Sequence, residues 1–135
     1  MLDFVRWAVQ GRVILMQFSG VLTLEDLKQM DTQANILIQD ALPPHIDAIF
    51  DVTDVTQFDS HLMNIRNLKT TSIKNPIINW YISVTPQPNP AVIFVATMLF
   101  KVLGSRYRGM NTIDEALTFL QAGSNYDLTR TDLAE

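Results

Sequence analysis

Four consecutive large apolar residues, Val13-Ile14-Leu15-Met16, constrain this chain more than any other feature. They continue a stretch that opens with strand periodicity, Val5, Trp7 and Val9 alternating with Arg6, Ala8 and Gln10. In a strand, successive side chains point to opposite faces. A strand that is apolar at every position must be covered on both sides. The cover is either helices on both faces or helices on one and a partner on the other. Gln10-Gly11 makes a short turn, so the strand at Val5–Val9 and the one at Arg12–Phe18 form an antiparallel hairpin. Gly20 is expected to close it.

Downstream of the hairpin, helical and strand patterns alternate. Thr23 with Asp26 three residues on is a short variant of the capping box. Leu27, Met30, Ala34, Leu37, Ile38 and Ala41 then fall on one helical face. Pro43-Pro44 ends that helix. Ile46–Val52 reads as a third strand, and Thr53–Asp59 as a polar connection. Asp59 or Ser60 caps a second helix bearing Leu62, Ile65 and Leu68, with Pro76 at its exit. Ile78–Val84 is a fourth strand. Asn89-Pro90 opens a helix over 91–103, with Gly104 as its stop. Arg106–Met110 is a short fifth strand. Thr112 and Glu115 form a second capping box, opening a helix that carries Ala116, Leu117 and Leu120 and ends at Gly123. Such alternation makes parallel strand pairs through right-handed crossovers. The expected fold is α/β: a hairpin, then a mixed, mostly parallel sheet of about five strands with about four helices. One domain over 1–123 and a polar tail over 124–135 account for the chain. A length of 135 residues suits a single core.

Composition removes several chemistries. With no cysteine, disulfides, thiolate catalysis and cysteine-ligated metals are excluded. The two histidines, His45 and His61, cannot build a histidine-rich site. His45 follows Pro44 in a loop and is expected to be solvated. A net charge of −4 gives no reason to expect nucleic acid or anionic lipid as partner. The longest apolar block, 91–100, is shorter than the roughly 20 residues that span a bilayer. The N-terminus lacks the pattern of a signal peptide, so a cytoplasmic protein is expected. Asp51, Asp54 and Asp59 follow a strand and could together hold Mg²⁺, but aspartates there commonly serve turns and caps. No glycine-rich phosphate loop accompanies them. Ser60-His61 is no nucleophile–base pair, because sequence neighbours rarely face each other. Neither an active site nor a cofactor or metal site is expected.

The element order resembles the STAS domain, the fold of bacterial anti-sigma-factor antagonists. Two segments carry the likeness. Ile49-Phe50-Asp51-Val52-Thr53-Asp54-Val55-Thr56-Gln57-Phe58-Asp59-Ser60 has the family's buried strand leading to an Asp-Ser pair. Thr112-Ile113-Asp114-Glu115-Ala116-Leu117-Thr118-Phe119-Leu120 is similar to the closing helix of the SEC14-like branch. The resemblance spans about residues 4 to 121 and implies a regulatory protein–protein interaction domain. It places the phosphoacceptor role on Ser60, with Asp54, Asp59 and His61 as partner-binding candidates. His61 and Leu62 stand where phospho-regulated members carry a small residue and a glycine. Beside this, Ser60 reads simply as a helix cap.

The run 91–103 leaves almost no polar face. Val92, Phe94, Val95, Met98, Leu99, Phe100 and Val102 are candidates for an apolar interface or pocket. A helix apolar all round needs a second surface. Deep burial within the domain, a homodimer, or an apolar small molecule of the kind SEC14-like relatives suggest would each supply it. Burial of each large side chain contributes about 1.5–3 kcal/mol, enough to drive association. The leading expectation is a homodimeric regulatory domain; the alternative is an apolar-ligand or lipid binder.

Overall fold

The computed structural model describes residues 1–42, 44–59, 75–86 and 106–124. Strand β1 (Leu2–Val9) and strand β2 (Val13–Leu22) form the hairpin. Helix α1 (Leu24–Ile38) follows, then β3 (Ile46–Phe58), β4 (Ile78–Val84), β5 (Tyr107–Met110) and helix α2 (Ile113–Ser124). The five strands lie side by side in chain order. β1 pairs antiparallel with β2, and every other neighbouring pair is parallel. This is the mixed, mostly parallel sheet expected from the alternation. Two helices are found among the described residues. The helices expected after Ser60 and over 91–103 lie outside them.

The sheet is covered on both faces, as the Val13–Met16 run requires. Ile14, Met16 and Phe18 point to one side with Ala48 and Phe50, and meet Leu27, Met30 and Ala34 of α1. Val13 and Leu15 point to the other with Ile49, and join a cluster containing Ala116, Leu117 and Leu120 of α2. All four residues from Val13 to Met16 are buried to 1% exposure or less.

Local chemistry fixes each element's ends. In the turn, the Arg12 N–H donates to the Val9 carbonyl at 2.9 Å, with Gly11 at φ +73°. A side chain there would also strike Leu42, whose Cγ lies 2.7 Å from a built Cβ, so glycine is required twice over. Helix α1 begins with the expected capping box. The Asp26 N–H donates to Thr23 Oγ1 at 3.1 Å, and the Thr23 N–H donates to Asp26 Oδ2 at 2.9 Å. The helix ends at Ile38, ahead of the prolines. Its exit tightens into bonds from the Asp40 N–H to Leu37 and from the Ala41 N–H to Ile38, which bring the Leu42 N–H onto the Gly11 carbonyl.

Two expectations about strand length are corrected. Gly20 does not close the hairpin: β2 runs on to Leu22, with the pairing shifted between Gly20 and Val21. Gly20 sits at φ +62° and serves a bulge, which bends a strand without ending it. Likewise Thr53–Asp59 is no loop, because β3 continues to Phe58 and pairs with the extended β2 through Leu22↔Phe58. The β-branched Val52, Thr53, Val55 and Thr56 suit that strand, while Thr53, Asp54, Thr56 and Gln57 face solvent. Smaller differences are that β5 starts at Tyr107 and that α2 passes Gly123 to Ser124.

β4 carries an irregularity of its own. Ile46 pairs with Ile78 and Ala48 with Tyr81, so two residues of β4 oppose Asp47 alone. The Trp80 N–H donates to Asp47 Oδ1 at 3.0 Å, and Asp47 is fully buried. Replacing Asp47 with Ala strands that amide. We expect Asp47→Ala to lower stability by about 2–4 kcal/mol, read by urea unfolding; a change below 1 kcal/mol, roughly that of an ordinary surface substitution, would show the bond to be dispensable.

Asp26 gives a pH dependence. Burial alone would raise its pKa. Hydrogen bonds from the Thr23 backbone, the Met1 ammonium, the Leu2 N–H and the Thr23 hydroxyl outweigh this and hold it below the ordinary 3.8. A depressed native pKa contributes stability that is present above the unfolded value and lost as pH falls through the folded one. Asp26→Asn should therefore cost about 1 kcal/mol at neutral pH, with the gap to the parent protein closing below pH 3.8. Parallel stability curves down to the acid transition would refute it.

Candidate functional site

The strands end unevenly. β4 is last paired with β3 at Val84, opposite Asp51, and with β5 at Met110. β3 continues for seven more residues, held by β2 alone among the described strands. This mismatch creates two features at the carboxyl ends of the parallel strands, where open α/β sheets place their ligands. One is the polar arm of β3. The other is a cleft of about 390 Å³, lined by Asp51, Thr53, Val84, Pro86 and residues 111–114.

The arm leads to the site implied by resemblance. Asp54 is exposed on β3, in register with Ser19 of β2. Asp59 follows the strand and is half-buried. Its N–H donates to the Leu22 carbonyl at 2.9 Å, which fixes the chain immediately before Ser60. Ser60 and His61 lie outside the described residues, as do the apolar candidates Val92, Phe94, Val95, Met98, Leu99, Phe100 and Val102. Asp51, Asp54 and Asp59 do not converge. Asp59 lies eight positions beyond Asp51, roughly 26 Å at strand rise, and of the three only Asp51 enters the cleft. Among the described residues no three acidic or histidine side chains group to hold a metal ion.

His45 departs from expectation. It is half-buried, and its Nε2 is enclosed without a hydrogen-bond partner among the described residues. Its place just before β3, against the body of the domain, overrides the loop context that suggested solvation.

The cleft's walls are set from opposite sides. Asp51 is 8% exposed, and its Oδ1 accepts the Thr53 N–H at 3.0 Å. The second wall is the start of α2. There the Glu115 N–H donates to Thr112 Oγ1 at 3.1 Å, and the Asn111 N–H donates to Glu115 Oε2 at 3.2 Å. The capping box expected at Thr112 is thus present with its return bond one residue earlier. Thr53 and Asn111 were not legible as site residues: Thr53 read as connection, and residues 111–114 read only as a cap.

Behind the cleft, α2 is locked to the sheet. Phe119 meets Trp80 edge to face, with ring centroids 5.0 Å apart, and the Arg108 guanidinium lies 4.8 Å over Phe119. On β4 and β5, the Ser83 and Tyr107 hydroxyls share a short hydrogen bond. Burial raises the Tyr107 pKa, and the Ser83 bond opposes the rise. Arg106 donates to the Ile78 carbonyl at 2.7 Å. Burial likewise raises the Tyr81 phenol, opposed by nearby Arg106. These groups tie β4, β5 and α2 together.

No family model and no curated protein sequence matches this chain. Solved structures match its fold. The anti-sigma factor antagonist SpoIIAA in its unphosphorylated form is 16% identical, with a TM-score of 0.58 over 90% of this chain and 97% of that one. The Bacillus cell fate determinant SpoIIAA in the phosphorylated form is 15% identical, with a TM-score of 0.57 over 89% and 99%. A DUF3478-family protein with a SpoIIAA-like fold from Shewanella loihica PV-4 is also 15% identical, with a TM-score of 0.56 over 80% and 83%. The chain therefore has the STAS-like fold that its element order resembled.

Proposed function

We propose that this protein is a non-enzymatic regulatory domain that binds another protein through the end of β3 and the residues following it. The carrying observation is β3 itself. It runs past β4 to Phe58, exposes Asp54, and anchors Asp59 beside Ser60. The fold it belongs to is that of an anti-sigma factor antagonist solved in phosphorylated and unphosphorylated forms. Among the described residues no helix is long and apolar enough to cross a membrane, in keeping with a cytoplasmic regulator.

In this reading Ser60 is the switch, with Asp54, Asp59 and His61 around it as partner contacts. A phosphoryl group adds nearly two negative charges. Phosphopeptide mapping of protein from cells lysed with phosphatase inhibitors should find phosphate on Ser60. Ser60→Glu should then recover its partner about tenfold less well than Ser60→Ala in affinity mass spectrometry. Equal recovery by the two variants, with Ser60 unmodified, would end the switch reading.

The apolar run Val92–Val102 supplies the surface for a homodimer in the same reading. Sedimentation equilibrium should give twice the chain mass, and Phe94→Asp with Phe100→Asp should halve it. A monomer before substitution would remove the dimer.

A further inference from the structure

We propose that Gly20 is a positioning residue for the Ser60 surface, and that the bulge it makes in β2 sets where the arm of β3 ends. The proposal rests on Ser60 being the switch, but the register it assigns to the arm is measured separately.

The pairing of β2 with β3 changes step at Gly20. Ser19 pairs with Asp54 and Gly20 with Val55, but Val21 pairs with Gln57 and Leu22 with Phe58. Thr56 is therefore left over on β3. Gly20 stands at that step with φ +62°, a backbone conformation that glycine enters freely and a β-branched residue avoids. Outside its chain neighbours, no atom lies within 4 Å of a Cβ built on Gly20. The position thus demands a conformation, not the lack of a side chain.

Both sides of the step are fastened. Before it, the Ser19 N–H donates to the Met1 carbonyl at 2.8 Å. After it, Leu22 runs into Thr23, the N-cap of α1, and the Asp59 N–H reaches the Leu22 carbonyl at 2.9 Å. Phe58 is half-buried and packs against the core on the α1 side. An extended residue at position 20 would let the ladder continue residue for residue, Val21 with Thr56 and Leu22 with Gln57. Leu22 would then accept the Phe58 N–H in place of that of Asp59. A slip of one residue also turns Phe58 to the opposite face and moves Asp59 along the strand by about 3.3 Å. Ser60 follows Asp59 directly in sequence. The conformation of Gly20 therefore decides which residue is pinned at the arm's end, next to the switch.

Two measurements on the full chain test this, in the parent, Gly20→Val and Gly20→Asn. One is amide hydrogen exchange by NMR. The other is phosphopeptide mapping of Ser60 from cells lysed with phosphatase inhibitors. Asparagine enters the left-handed region more readily than other side chains, and valine hardly at all. In Gly20→Val the Asp59 amide should exchange about tenfold faster, while the Ile14 and Ile49 amides at the centre of the sheet stay protected. Phosphate on Ser60 should fall about tenfold in the same variant, as expected of a misplaced acceptor. Gly20→Asn should hold both readouts near those of the parent. If Gly20→Val does not fold, Gly20→Ala carries the same comparison. The proposal is overturned if Asp59 stays as protected in the valine variant as in the parent, if the asparagine variant exchanges as fast as the valine one, or if Ser60 phosphate is unchanged when Asp59 is released. Ser60 unmodified in the parent would end the switch reading and with it the positioning role, whereas the exchange data judge the register alone.

Discussion

A buried carboxylate decides how the two halves of this domain meet. Asp47 sits inside the sheet with no exposure, which is costly for a charged group unless its bonds are made. It accepts the Trp80 amide that the β4 bulge takes off the ladder. The bulge also resets the alternation of β4. Ile78 packs on the α1 side, whereas Trp80, two residues later, packs on the α2 side. A regular strand would put both on one face. Trp80 then receives Phe119 edge to face and so fixes α2, whose first turn is one wall of the cleft. The site at the sheet's end is thus positioned by a hydrogen bond near its middle.

Strand length is the second determinant. Parallel strands of equal length would finish together in a flat rim. Here β2 survives Gly20 by bulging, and β3 follows it to Phe58, while β4 stops at Val84. The overhang yields both the polar arm that leads to Ser60 and the recess above Val84. One mismatch serves two surfaces, which explains why they are contiguous and why both are acidic: Asp51 and Asp54 are neighbours on the same strand.

How far the sequence disclosed this follows from which signals are local. The turn at Gly11, the Thr23–Asp26 box and the Ile78–Val84 strand depend on a few adjacent residues, and their chemistry was readable. The two-sided burial of Val13–Met16 was readable because composition at consecutive positions leaves a strand no alternative. Failures came where a distant partner decided the outcome. Thr53–Phe58 is half polar, and only the extension of β2 makes it a strand. His45 is half-buried, which its loop context does not reveal. Asp47 could have been flagged: an acid between Ile46 and Ala48 in a buried strand requires a donor, although nothing local names Trp80. The cleft was invisible because its walls come from residues about sixty positions apart, each with a sufficient local reason to exist as turn or cap.

A shared fold at 15–16% identity carries architecture, and function has to be argued from the site. The charge pattern of this chain then selects among the ways a phosphate on Ser60 could act. Residues 46–65 contain Asp47, Asp51, Asp54 and Asp59 and no lysine or arginine. A phosphoryl group can order a segment by recruiting arginines, or it can disrupt a contact by repulsion beside acids. The four acids that precede Ser60 favour repulsion for a phosphate there. A partner for the unmodified surface would then bring apolar or hydrogen-bonding groups, which added charge disfavours. Added charge on Ser60 would weaken an apolar or hydrogen-bonded contact by desolvation and like-charge cost. It would strengthen one dominated by basic side chains. The direction of the switch therefore reports the chemistry of the partner's face.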